Sequence, residues 1–432
     1  MQEARPDTRP VTRVSRHASR YRRALIGWTD VELWRPVITF AWVAVAGVLV
    51  LGALFLHDIL TLVLVKLHYN DFGKFYYSAE AGRRGLSMYA PSVATNIQIS
   101  ERTWIQFWNM NPPHFQIVLW PLTWLPIQSA YVVWMSINVG IAFLTVGRIA
   151  SALERRVKPA WLLFALVAAP TLSTTVTGQV TGIVFGLVSW IWLDMRDQRW
   201  ARAGSAIGIA CSIKPFLAPL VIYLVLRKQW RAVAIAAASG TACFLVGLAV
   251  FGVGAHIEWF NALRSVSWEW APMNGSIYAP LARLGARTEL AMGEAPTVHR
   301  VAQSLGHLLA MAILAVGGYA AYRDDNTDRA VLVVLATCLL ASPLGWIYYG
   351  WILVGPIWAC WDDPTIRRAL VIAGVGWLIP FFVLWKFDSV PFILTIGAAY
   401  TWSFLAIWLA AVVARWSTCP NRLPATLRSA PV

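Results

Sequence analysis

The segment Cys211-Ser212-Ile213-Lys214-Pro215-Phe216-Leu217 decides how this chain is folded. It lies in the middle of residues 203–226, an apolar stretch about as long as the roughly 20 residues that cross a bilayer core. Basic turns flank it, Arg199 and Arg202 before it and Arg227, Lys228 and Arg231 after it. If both turns face one side of a membrane, the stretch must go in and come back, and Pro215 is where a helix breaks. The expectation is two short half-helices with Lys214 at their tip. Such broken helices are tolerated at membrane depth only where the freed backbone is buried in protein or lines a cavity.

Composition places the whole chain in that setting. Charged residues make up 13% of the 432, against roughly 25% in soluble domains, and hydrophobic residues make up 58%. Trp occurs 25 times, a residue that concentrates where apolar chain meets lipid headgroups. The apolar stretches are too many and too evenly spread for a signal peptide ahead of a soluble domain. The net charge of +15 does not point to nucleic acid. Seven arginines between Arg5 and Arg23 form a tail ahead of the first span, which reads as an orientation signal touching anionic lipid. No basic–aromatic reader module accompanies it. The five cysteines show no ligand spacing, and no metal site or cofactor is expected.

Working outward gives an all-α polytopic membrane protein. Residues 1–35 form a basic cytoplasmic tail, 36–414 the transmembrane domain and 415–432 a short cytoplasmic tail. Val37 to Leu56 is the first clean span. Two long polar loops, 66–114 and 255–300, interrupt the apolar pattern. Helical material is expected around Phe72 to Gly82, and an interfacial or re-entrant piece at Phe115 to Pro126. Counting short and broken helices gives about 12 crossings of bilayer length. Of the 36 Lys and Arg residues, 25 fall in the turns and tails assigned to the inside and 10 in the outside loops. Lys214 alone is left over. The bias follows the positive-inside rule and puts both long loops and the Lys214 tip on the extracytoplasmic side of a cell membrane.

Two residues stand out chemically. Asp71 follows the first span in Tyr69-Asn70-Asp71-Phe72-Gly73-Lys74-Phe75-Tyr76-Tyr77. A carboxylate desolvated by those aromatics suits a general base or a partner of a substrate hydroxyl; equally, Asp there suits a helix N-cap. Lys214 is an ionisable group in a membrane segment, hence a functional candidate facing a phosphate. Its alternative is a lysine snorkelling to the interface or closing a turn. Gln179 sits in a polar break after Gly178, and Asn274-Gly275-Ser276 is either a substrate-facing turn or a glycosylation sequon. Trp346, Tyr348 and Tyr349 line a cavity mouth or belong to the aromatic belt.

The ordered set of short motifs resembles glycosyltransferase family 87, integral-membrane mannosyltransferase-like proteins with the GT-C fold. The matching pieces begin with Asp71-Phe72, Tyr76-Tyr77-Ser78-Ala79, Gly85 and Tyr89-Ala90-Pro91. They continue through Asn111-Pro112-Pro113, Gly178-Gln179, Ile213-Lys214-Pro215 and Trp230-Arg231, and end at Asn274-Gly275-Ser276 and Ser342-Pro343 with Trp346.

The resemblance implies transfer of a sugar, in the best-known members mannose, from a polyprenyl-phosphate-linked donor to a glycolipid or envelope glycan. It assigns Asp71 to the acceptor hydroxyl, Lys214 to the donor phosphate, and Tyr76, Asn111, Gln179, Asn274, Trp346, Tyr348 and Tyr349 to the substrates. Two departures matter. Tyr348-Tyr349 stands where relatives often carry histidine, and Gly275 where Gln is common. A transporter or flippase of lipid-linked sugars, or a non-catalytic scaffold for envelope assembly, is the competing expectation.

Overall fold

A computed structural model describes residues 54, 56–61, 71–100, 103–264, 268–292, 296–385 and 389–417. The basic tail 1–35, most of the first span and residues 418–432 lie outside these described residues.

Four described helices are long and apolar enough to cross a membrane: Ile127–Ala152, Trp230–Arg264, Arg300–Arg323 and Val390–Ala414. A bent pair, Pro159–Val167 and Ala169–Thr177, forms a fifth if it is one span; its axes differ by 49°. The break falls at Ala168, which is extended at φ −69° and ψ 142°, two residues before Pro170, which cannot donate to a continuous helix. By length and composition the described part therefore has four or five spans, and the described helices at the other expected crossings are shorter.

In chain order the first helix is α1 (Asp71–Arg83). It ends at Gly85, which takes the left-handed φ of 70° that a glycine tolerates. A departure from the all-α expectation follows. Strands β1 (Thr95–Ser100) and β2 (Thr103–Phe107) pair antiparallel, with Thr95 opposite Phe107. Alternating Ile with polar residues, then Thr, Trp, Ile and Phe, favours strand over helix. The long polar loop is thus partly a hairpin.

Helix α2 (Pro113–Leu119) and a 3₁₀ turn at Trp120–Trp124 form the short piece expected near Phe115 to Pro126. Next come α3 (Ile127–Ala152), α4 (Pro159–Val167), α5 (Ala169–Thr177) and α6 (Thr181–Arg196).

Helix α7 (Trp200–Ile213) stops at Lys214, a 3₁₀ turn covers Pro215–Leu217, and α8 (Pro219–Leu226) follows. Helix α9 (Trp230–Arg264), kinked at Gly252, packs directly on α7. A Cβ on Gly204 would lie 2.4 Å from Ala232 O, and one on Gly208 2.1 Å from Ala236 O. These small-residue contacts bring the backbones together as in membrane helix pairs. They also advance in the same direction on both helices, so α7 and α9 run parallel. The chain between them therefore turns back at Lys214 and returns to the level where α7 began.

Helices α10 (Tyr278–Met292), α11 (Pro296–Arg323) and α12 (Thr327–Ala341) follow the second loop. Every residue of α12 from Ala330 to Leu340 is buried, as befits a helix that is apolar all round. It is capped by Asn326, whose side chain accepts from Arg329 N. Beyond it lie a 3₁₀ turn at Ile347–Leu353, then α13 (Val354–Ala359), α14 (Pro364–Trp377), α15 (Val390–Leu394) and α16 (Ala399–Ser417).

Candidate active site

Asp71 is the first residue of α1 and is 7% exposed. One carboxylate oxygen takes the ammonium of Lys74 at 2.5 Å, one helical turn on. The other accepts from Gln179 Nε2. The carboxylate is thus aimed into the protein, held by two donors.

Gln179 reaches Asp71 because of the residue before it. Gly178 ends α5 in the left-handed conformation, φ 68°, with its N–H bonded to Thr174 O at 2.8 Å. Trp134 Nε1 donates to Gly178 O at 2.8 Å. A Cβ at position 178 would lie 2.6 Å from Phe72 Cβ, so the close approach of α1 to this turn also requires glycine.

The chain of contacts continues towards the Lys214 tip. Tyr349 Oη donates to Gln179 Oε1 at 3.4 Å, and Lys214 Nζ lies 5.6 Å from the Tyr349 ring centroid, within cation–π reach. Lys214 Nζ donates to Asn111 Oδ1 at 2.9 Å. Asn111 is itself fixed: its N–H and amide both bond Asn109 Oδ1, and its carbonyl accepts from Tyr89 Oη at 2.7 Å. Asp71 attracts and Lys74 repels the charge on Lys214, and Asp71 is the charged group acting on both Tyr348 and Tyr349. Asp71, Gln179, Tyr348, Tyr349, Lys214 and Asn111, drawn from five separate parts of the chain, therefore share one polar centre. Lys214 as a residue is half-buried.

Three other expected substrate residues make contacts that also brace the framework. Tyr76 donates its hydroxyl to Leu125 O at 2.8 Å. Asn274 is fully buried; its amide donates to Glu269 O and Pro343 O, both at 2.8 Å, and its Oδ1 accepts from Ser276 N. Its donors are spent, so its part is to join the second long loop to the Ser342-Pro343 turn. Residues 274 and 346 form a backbone bridge, flanked by Gly275 N to Gly345 O and Ile347 N to Met273 O, each 2.8 Å. Trp346 is set by that bridge and stacks on Tyr348, centroids 5.8 Å apart. Gly275 has no room for a larger residue: an added Cβ would meet the Phe404 ring at 2.7 Å.

Sequence reasoning missed two residues. Lys74 is 4% exposed and lies 5.0 Å from the Trp268 ring, 5.7 Å from Phe107 and 6.0 Å from Phe75. Its signal was the i, i+3 spacing from Asp71, hidden because Lys74 counted among outside-loop cations. Arg283, 1% exposed, donates to the carbonyls of Trp270, Ala271, Pro272, Asn274 and Gly397. Burial draws its guanidinium down to about 10, so it stays charged at neutral pH. It clasps the loop that carries Trp268 and Asn274.

A carboxylate and an ammonium with donors to spare around one membrane-protein centre suit group transfer from an anionic, lipid-borne donor. The model of the family described as glycosyltransferase family 87 matches residues 109–343. The chain belongs to this family and is a glycosyltransferase. It is 28% identical over 325 residues to the polyprenol-phosphate-mannose-dependent alpha-(1-2)-phosphatidylinositol pentamannoside mannosyltransferase of Mycolicibacterium smegmatis, covering 69% of this chain and 76% of that one. The protein of the same description from Mycobacterium tuberculosis is 26% identical over 330 residues, 69% of this chain and 72% of its own. An alpha-(1->3)-arabinofuranosyltransferase of M. tuberculosis matches a shorter part, 29% identical over 129 residues, 28% of this chain and 30% of that one.

Proposed function

We propose that this glycosyltransferase moves mannose from a polyprenyl-phosphate-linked donor to a hydroxyl of a glycolipid or envelope glycan on the extracytoplasmic face of the membrane. The observation that carries the reading is the single connected centre holding Asp71 and Lys214. The donor is supported by the family and by the polyprenol-phosphate-mannose dependence of the two mannosyltransferases that the chain resembles. The face follows from the charge bias of the short turns.

In this mechanism the apolar helices solvate the polyprenyl chain and Lys214 meets the phosphate. Lys214 stabilises the charge that builds on that phosphate as the bond to the sugar breaks, a contribution that often dominates catalysis. Asp71 takes the proton of the acceptor hydroxyl, which attacks the sugar carbon from the face opposite the phosphate. Each carboxylate oxygen carries one donor, Lys74 or Gln179, and keeps a second lone pair that the acceptor hydroxyl can meet.

The test is transfer in detergent from synthetic polyprenyl-phosphate-mannose to phosphatidylinositol mannosides, followed by mass spectrometry. Mannosylated product is expected without a sealed membrane. Asp71→Asn should lower the turnover by about 1,000-fold or more, the scale on which removing a reacting group acts. Near wild-type turnover in Asp71→Asn removes Asp71 from the mechanism. Lipid-linked sugar crossing a sealed bilayer with no product in detergent points to a flippase instead.

A further inference from the structure

Lys74 is the charged side chain at this centre to which the mechanism above gives no task. It is not a surface lysine: it is buried, pairs with Asp71 Oδ1, and is enclosed by Phe75, Phe107 and Trp268. Phe107 and Trp268 themselves meet with centroids 4.7 Å apart. The end of the β-hairpin and the second long loop therefore close over Lys74. Burying an ammonium this deeply is costly unless its charge is answered, and Asp71 is what answers it here. Through Asp71, Gln179 and Tyr349, Lys74 is joined to Lys214 by a continuous set of contacts.

We propose that Lys74 is the positioning counter-ion of the transfer step, fixing Asp71 for the acceptor hydroxyl and offsetting the charge that moves from Asp71 to the departing phosphate. The inference rests on the proposed mannosyl transfer, whose balance makes the argument. The donor phosphodiester carries one negative charge. When the acceptor oxygen bonds to the sugar carbon, the electron pair of the breaking C–O bond goes to the phosphate oxygen. The phosphate then approaches two negative charges. The acceptor proton goes to Asp71, which becomes neutral. One negative charge has left Asp71 and one has appeared on phosphate, while two cations, Lys74 and Lys214, stand by throughout. With Lys214 alone, the second phosphate charge would form in an apolar enclosure without a partner. With Lys74 present, the cation released by Asp71 acts across the sugar, from the acceptor side, on the charge forming at the phosphate. Trp268 and Phe107 keep water out, which strengthens each of these interactions.

The test uses the full-length protein in lipid nanodiscs, with polyprenyl-phosphate-mannose and phosphatidylinositol mannosides as probes. Donor affinity is measured by calorimetry and turnover by product mass. Lys74→Met is expected to lower kcat about 100-fold while the donor Kd moves less than threefold, and Lys74→Arg to return kcat to within tenfold of wild type. Retained donor binding shows that Lys74→Met is folded. If it does not fold, the Lys74→Arg and Lys74→Gln pair is compared, and the charge-keeping variant must turn over at least tenfold faster. Equal kcat in that pair, unchanged kcat in Lys74→Met, or a donor Kd that rises as much as kcat falls, overturns the inference. No product from the wild type overturns the proposed function itself, and this inference with it.

Discussion

Lys214 and Arg283 are two cations drawn into the same protein and treated in opposite ways. Arg283 is held on all three nitrogens: five carbonyls from the second long loop and the turn before α16 accept from it. Lys214 has three donors to offer, and among the described residues its one hydrogen-bond partner is the neutral Asn111. Arg283 is sealed at 1% exposure while Lys214 as a residue is half-buried. A buried guanidinium with all three nitrogens held by backbone carbonyls cannot take a ligand without tearing its loop. An ammonium leaning on one amide and one aromatic ring can receive an anion with no rearrangement. Burial of a cation thus does not distinguish framework from site; its remaining hydrogen-bonding capacity does.

That contrast breaks if the two residues respond alike to loss of charge. Lys214→Met should reduce transfer by about 100- to 1,000-fold, the scale of losing one charge-stabilising donor in a site. It should leave the melting temperature in detergent unchanged or higher, since a cation without a full set of partners destabilises the protein that holds it. Arg283→Met should do the reverse in kind. It leaves buried carbonyls without donors, and each costs about 1–3 kcal/mol. The predicted result is a strong fall in melting temperature, with activity lost along with the fold. A stable, folded Arg283→Met variant that binds donor normally but turns over slowly would move Arg283 from framework to site.

The sequence made part of this legible. The turn at Ser212-Ile213-Lys214-Pro215 was readable because proline and flanking basic residues leave few ways to run the chain. Gly178-Gln179 was readable as a break, though not as a contact with Asp71, since residues 71 and 179 share no local pattern. Lys74 and Arg283 were hidden by one bookkeeping habit: a charge in a long polar loop is counted as solvated. Here the loops fold back on themselves through the hairpin and the 274–346 bridge, and carry both charges inside. Asn274 shows the converse. A polar residue between tryptophans looks ligand-facing until its three hydrogen bonds to backbone are seen.

The site side of the comparison is sharpened by a change that touches no charge. Gly178→Ala forces a left-handed φ on alanine and drives a methyl group into Phe72. Strain of this kind costs about 1–3 kcal/mol. Relief has to come from movement of α1 or of the 178–179 turn, and either loosens Gln179 from Asp71. The expected outcome is a lower melting temperature together with a drop in kcat. The control is Gly140→Ala, where an added Cβ meets nothing within 4 Å and both readouts should hold.

The smallest effect tests the one hydrogen bond that separates Lys214 from a free ammonium. Asn111 fixes the Lys214 tip, and Asn109 and Tyr89 fix Asn111. If that amide only pre-positions the ammonium, Asn111→Ala keeps the charge and loosens its aim. Losing a hydrogen bond to a charged group is worth about 1.5–3 kcal/mol, and the donor phosphate itself restores part of it on binding. The donor Kd should therefore rise about tenfold, at the low end of that range, with kcat nearly unchanged. Asn111→Asp gives the opposite sign of the same test. A carboxylate at this position would pair with Lys214 as the carbonyls hold Arg283, and donor binding should fall further than in Asn111→Ala. If Asn111→Asp binds donor as well as wild type, Lys214 is not the residue that meets the phosphate, and the contrast with Arg283 loses its functional meaning.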